Sequence, residues 1–221
     1  MKRMKKGFTL AEILITLVII GVIGALTVPA LIQNTQKQEY VSALKKAYST
    51  LSQAAQMIIT EEGSPQCSTG GWACSSESIY NMFRKYLNNV KECGSSGGCF
   101  EQLQNSGYKW LKGGGSTNTW NLSVNDYRTL ITADGSQILF THKSDDCSLI
   151  DTGSNGMCAR ITVDINGAKG PNIIGRDVFY FVLKENGVFP QGCDYGDYCT
   201  GADAYGHSCA CKVITEGAMN Y

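Results

Sequence analysis

The first long pattern in the chain has no polar face. From Phe8 to Ile32 there are 25 residues and one charge, Glu12. As an α-helix this run is roughly 37 Å long against a hydrocarbon core of about 30 Å, so it predicts a membrane-crossing helix. After Ile32 the chain turns polar without a break: no Gly or Pro occurs between Gln33 and Glu62. Leu44, Tyr48, Leu51, Ala55 and Ile58 step by four, three, four and three, which is one apolar stripe on a helix. Lys37, Lys45, Lys46, Gln53 and Gln56 fall mostly on other faces. One helix from about Phe8 to about Thr60 is expected, ending before Gly63-Ser64-Pro65. Its first half is apolar all round and its second half amphipathic. A membrane span followed by a separate helix is the alternative.

Beyond residue 63 the pattern shortens. Ile79, Phe83, Tyr86 and Val90 share a helical face, which predicts a helix over Ser76–Val90 with Ser75 or Ser76 as its cap. Gly94 to Thr119 is rich in Gly, Ser and Asn and reads as loop. Thr129–Thr132 and Gln137–Phe140 flank the turn pair Asp134-Gly135 and predict a hairpin. Ala159–Ile165 alternates apolar and polar residues. Val178–Leu183 is the most apolar strand and precedes a second turn signal, Asn186-Gly187. Lys212–Thr215 would complete four or five antiparallel strands. The fold class is α+β: a long N-terminal helix packed on a small antiparallel sheet.

Charge and cysteine sharpen this division. The 221 residues carry 19 Lys+Arg, 19 Asp+Glu and ten cysteines. A net charge of zero argues against a protein that binds nucleic acid by bulk charge. Four of the basic residues, Lys2, Arg3, Lys5 and Lys6, precede the apolar run and should stay cytoplasmic. The rest of the chain then lies outside, where disulfides form, and no cysteine occurs before Cys67. A cleaved secretory signal is a competing reading, with Val28-Pro29-Ala30 as its site, but the apolar run is too long for it. A plain signal anchor leaves Glu12 unexplained, although an ionisable group inside a membrane helix usually marks function. No cysteine lies near enough for a lipoprotein.

The segment Lys5-Lys6-Gly7-Phe8-Thr9-Leu10-Ala11-Glu12 resembles the prepilin signal of type IV pilins and type II secretion pseudopilins. The resemblance covers about the first 30 residues. It implies a leader of residues 1–7, cleavage between Gly7 and Phe8, and N-methylation of Phe8. It further implies a transmembrane and assembly helix over 8–32, its amphipathic continuation over 33–62, and a disulfide-rich head over 63–221. Glu12 takes the place of the family's glutamate, which pairs with the N-terminal amine of a neighbouring subunit. Two charges that are costly alone in lipid become tolerable as a pair. Pro29 takes the place of a helix-loosening proline, and with Gly21 and Gly24 it makes Gly21–Pro29 a candidate flexible or melted section. The partners implied are other copies and other pilins, a prepilin peptidase, an assembly platform and the membrane. The chain would enter the bacterial inner membrane with its head extracytoplasmic, then join a filament in the periplasm or on the cell surface. Losing the leader leaves 15 basic against 19 acidic side chains, a net of −4.

Local disulfides are expected for Cys67 with Cys74, Cys93 with Cys99, and Cys147 with Cys158. Cys209 and Cys211 are too close to pair easily with each other, so each should join Cys193, Cys199 or a more distant partner. Cys193, Cys199, His207, Cys209 and Cys211 could instead supply zinc ligands, but no C-x-x-C spacing occurs. His142 and His207 are the two histidines. They read as exposed surface residues, and no enzyme is expected.

Between two predicted strands lies a loop from Asp164 to Asp177. Asp164, Asn166, Asn172 and Asp177 offer the oxygen donors that hard cations prefer. The loop resembles the Gly- and Asp-rich loop of pseudopilin heads, some of which bind calcium. It is not an EF-hand, and Lys169 and Arg176 oppose a cation. A turn-rich connection is the plainer reading; otherwise no cofactor is expected. The function expected is a structural subunit of a pilus or secretion pseudopilus. A minor or tip subunit that binds a surface or DNA is the alternative, with Tyr195, Tyr198 and Tyr205 as possible contacts.

Overall fold

The computed structural model describes residues 7, 9–95, 97–100, 107–113, 127–194, 196, 199–200 and 205–221. They form helices α1 (Leu10–Glu62), α2 (Ser76–Tyr86) and α3 (Cys209–Glu216). The strands are β1 (Asn89–Gly94), β2 (Arg128–Thr132), β3 (Gln137–His142), β4 (Leu149–Asp151), β5 (Ser154–Met157), β6 (Ala159–Asp164), β7 (Val178–Lys184) and β8 (Gly187–Pro190). Two compact units emerge, Met1–Glu39 and Tyr40–Tyr221. The architecture is the α+β, pilin-like one expected.

In the first unit α1 is apolar and bare: Leu10, Ile20, Leu26 and Leu31 are all exposed. It is the one helix among the described residues long and apolar enough to cross a membrane. The expected melted section is helical, and α1 continues through Gly21, Gly24 and Pro29. A single proline removes one bond of the ladder, and the turns on either side keep theirs; Thr27 Oγ1 adds a bond to the Ile23 carbonyl at 2.9 Å.

In the head, strands run in the order β1-β2-β3-β6-β7-β8, all antiparallel. The stripe on α1 covers one face: Leu44, Leu51, Ala55 and Ile58 are buried with Phe140, Ile161, Val163 and Phe181. Tyr48 stacks on Phe181 at 6.0 Å. A second cluster includes Phe100, Tyr108, Leu139, Val178 and Tyr180. Alternate residues of β7 thus enter different clusters, which is why its sequence is apolar at every position rather than at every second one. Helix α2 is capped by Ser75, whose side chain accepts from Ser78 N–H at 3.1 Å.

Two expected elements differ. Helix α2 stops at Tyr86 rather than Val90, because Asn89 Nδ2 bonds the Arg84 and Leu87 carbonyls and turns the chain into β1. Lys212–Thr215 is helical, not a strand. Its β-branched residues favour extension, but Val213 is buried, Cys209 and Cys211 are bridged, and Gly217 closes the helix at φ 68°. The sheet also holds β1 and β8 beyond the strands expected, and β4–β5 forms a separate hairpin.

Candidate assembly segment and cation loop

The start of α1 is closed by its own side chains. Thr9 N–H and hydroxyl donate to Glu12 Oε2 at 2.8 and 2.9 Å, and Glu12 N–H donates to Thr9 Oγ1 at 3.3 Å. This is a reciprocal capping box. It satisfies donors that a helix start leaves open and places an acid at the positive end of the helix dipole. Thr9 is a functional partner that the charge of Glu12 alone does not reveal, although T-x-x-E ahead of an apolar run is visible in the sequence. Gly7 is exposed and outside any helix, and a Cβ built there meets nothing within 4 Å. Phe8 and the basic residues of the leader lie outside the described residues.

Asp164 ends β6 and Asp177 precedes β7, so the strand register brings the two ends of the loop together; Ile165 N–H donates to the Asp177 carbonyl at 2.9 Å. Both acids are fully buried. Asp164 Oδ2 accepts from the Tyr108 hydroxyl at 2.9 Å and Oδ1 from Asn166 N–H at 3.3 Å. Asp177 accepts from the N–H groups of Asn172 and Ile173, both at 2.7 Å. Burial, then the charge of Asp177, pushes the Asp164 carboxyl up to about 8, and burial raises Asp177 as well. Oδ1 of Asn166 and Oδ1 of Asn172 are buried with no hydrogen-bond partner. Two acids that resist ionising together and two orphaned amide oxygens fit a hard cation. Among the described residues no three His, Cys, Asp or Glu side chains converge, so the amide oxygens are needed to complete such a site. The loop is clamped from outside: Lys109 pairs with Asn172 and Ile174, and the Tyr221 hydroxyl donates to the Gly175 carbonyl. Gly206 lies against it so closely that a Cβ would come within 2.1 Å of the Ile174 carbonyl oxygen.

Residues 2–28 match the prokaryotic N-terminal methylation motif. The chain carries the prepilin-type signal of type IV pilins and pseudopilins. That signal marks a class of structural proteins, and with the apolar helix behind it fits membrane anchoring. No curated protein and no solved structure matches the chain.

Behind the prepilin-type signal, the head holds five disulfides: Cys67–Cys74, Cys93–Cys99, Cys147–Cys158, Cys193–Cys211 and Cys199–Cys209. The last two are nested, and they take up the four sulfurs that a zinc site would use. The histidines are not exposed as expected. His142 is half-buried, with Nε2 3.2 Å from Asp145 Oδ1. His207 is half-buried between Trp110 and Tyr180, each 5.3 Å away, and burial lowers its pKa to about 4. Tyr205 packs edge-on against Trp110 at 5.1 Å; Tyr195 and Tyr198 lie outside the described residues.

Proposed function

We propose that this chain is a structural subunit of a type IV pilus-like or type II secretion pseudopilus filament. The bond after Gly7 is cut, the amine of Phe8 is methylated, and the first half of α1 packs against other copies. The observation that carries this reading is a prepilin-type signal leading into a helix whose leucines, isoleucines and valines from Leu10 to Ile32 are uncovered in the single chain. A surface of that size needs lipid before assembly and neighbouring helices after it. Thr9 holds Glu12 in the isolated subunit. In the filament the same carboxylate would meet the amine of a neighbour, so assembly exchanges one set of bonds for another. The five bridges support an extracytoplasmic head. The mass of the N-terminal peptide from the native host tests the proposal. A chain beginning at methylated Phe8 supports it; one beginning at Met1 or Leu31 overturns it.

The orphaned oxygens favour one addition. We propose that Asp164, Asn166, Asn172 and Asp177 hold a calcium-like cation, which would neutralise the acid pair and fix the loop.

A further inference from the structure

We infer that heads of successive copies join end to end, with Ile150 of one head seated in the groove beside Lys46 of the next. This rests on the filament reading above and names the contact between heads.

The groove lies between α1 and the β2–β3 turn and encloses about 170 Å³. Leu51, Ile138 and Val163 form its floor, and the small side chains Ala47 and Ala133 leave room for one aliphatic group. Lys46 stands on the rim with 62% of its side chain exposed, bridged to Asp134 at 2.7 Å. Its ammonium has donors to spare. Among the described residues of the head, three large apolar side chains are exposed: Met57, Val90 and Ile150. Val90 is two residues from Asn88, which itself lines the groove, so it cannot reach the groove of a copy stacked end to end. Met57 lies on α1 among the polar side chains of Gln56, Thr60 and Glu61. Ile150 is 64% exposed on β4 and follows two exposed acids, Asp145 and Asp146. Hydrogen bonds from Ser144 and Ser148 keep Asp146 ionised, with its pKa lowered to about 2. An apolar knob beside acids therefore faces an apolar hole rimmed by the Lys46–Asp134 pair, whose ammonium can take a second acid.

Their placement sets the kind of assembly. The groove adjoins the turn where β3 begins. Ile150 lies past His142, where β3 ends, in a segment that Cys147–Cys158 ties to the residue before β6. Knob and hole at opposite ends of one head form a heterologous contact. Repeated without a closing rotation, such a contact generates an open line of copies.

The full chain in its host, with filaments sheared from the cells, provides the test. A photo-crosslinking residue in place of Ile150 should form adducts with Lys46–Leu51 or the 132–136 turn of a second copy. Ile150→Asp should lower filament yield about tenfold, the scale of one buried aliphatic side chain. Its head should melt as before, since Ile150 is exposed. Ala133→Trp, which fills the groove, should act in the same direction. Adducts on another part of the chain or on a different protein overturn the end-to-end contact alone, as does wild-type yield from Ile150→Asp. A wild-type chain that is processed yet forms no filaments overturns this contact and the filament reading together.

Discussion

Helix α1 uses the same kinds of residue in two opposite ways. From Leu10 to Ile32 its leucines, isoleucines and valines are exposed, and from Leu44 to Ile58 the stripe is turned inward, with Leu44, Leu51, Ala55 and Ile58 at 0–1% exposure. The first part contains no cysteine, and the head contains ten, all bridged. The difference shows where each part gets its stability. The head covers its apolar surface with its own sheet and staples its loops. The first half of the helix cannot cover itself and depends on lipid or on copies. Damage to one region should therefore leave the other intact.

The largest effect expected is on processing. Gly7→Trp places a bulky side chain beside the scissile bond and should abolish cleavage, seen as full-length precursor by mass spectrometry, while head melting is unchanged. A mature mass from that variant would break the assignment of Gly7. Next is the head core. Phe181→Ala should cost about 3–5 kcal/mol in chemical denaturation and leave cleavage alone. If it also blocked processing, the two regions would not be independent. Replacing Cys199 and Cys209 together by Ser should cost about 2–3 kcal/mol in the chain-entropy model, again without touching the N-terminus. The same variant should loosen the 172–177 loop, because Gly206 packs on it from within that short bridge; faster amide exchange at Ile174 would show this.

The elements readable in sequence are those where local pattern and burial agree. The stripe on α1, the Asp134-Gly135 hairpin and the apolar run of β7 each satisfy propensity and core together. Lys212–Thr215 fails because two disulfides and the burial of Val213 override β-branched preference, which no local window contains. Strand β1 fails because Asn89 ends α2 through a side-chain bond that the apolar spacing of Val90 hides. At the assembly segment Gly7 and Glu12 stand out by motif, and Thr9 was equally legible as a cap. The acids of the loop are legible as residue types, but their burial is not. It follows from the β6–β7 register and from Tyr108, which arrives from a loop distant in sequence.

That burial gives the smallest and most specific prediction. Asp164 has its pKa raised from 3.8 to about 8, so the folded head favours the neutral carboxyl. Its stabilising contribution is fully present below pH 3.8 and is lost as pH rises through about 8. His207 has the opposite sign: its pKa is lowered from 6.5 to about 4, so its contribution is present above pH 6.5 and lost as pH falls through about 4. The window from pH 7 to 8 separates them, because there His207 is neutral in the folded head and largely neutral in the unfolded chain. In chelator, head melting should fall by about 2–4 °C across that one unit. Asp164→Asn should flatten the slope, since an amide does not titrate. Calcium should remove it in the unsubstituted chain, since a cation favours the ionised pair that the proton opposes. A slope that persists in Asp164→Asn would place the titration elsewhere. A slope that calcium does not change would leave the acid pair a buried proton site and remove the cation from the loop.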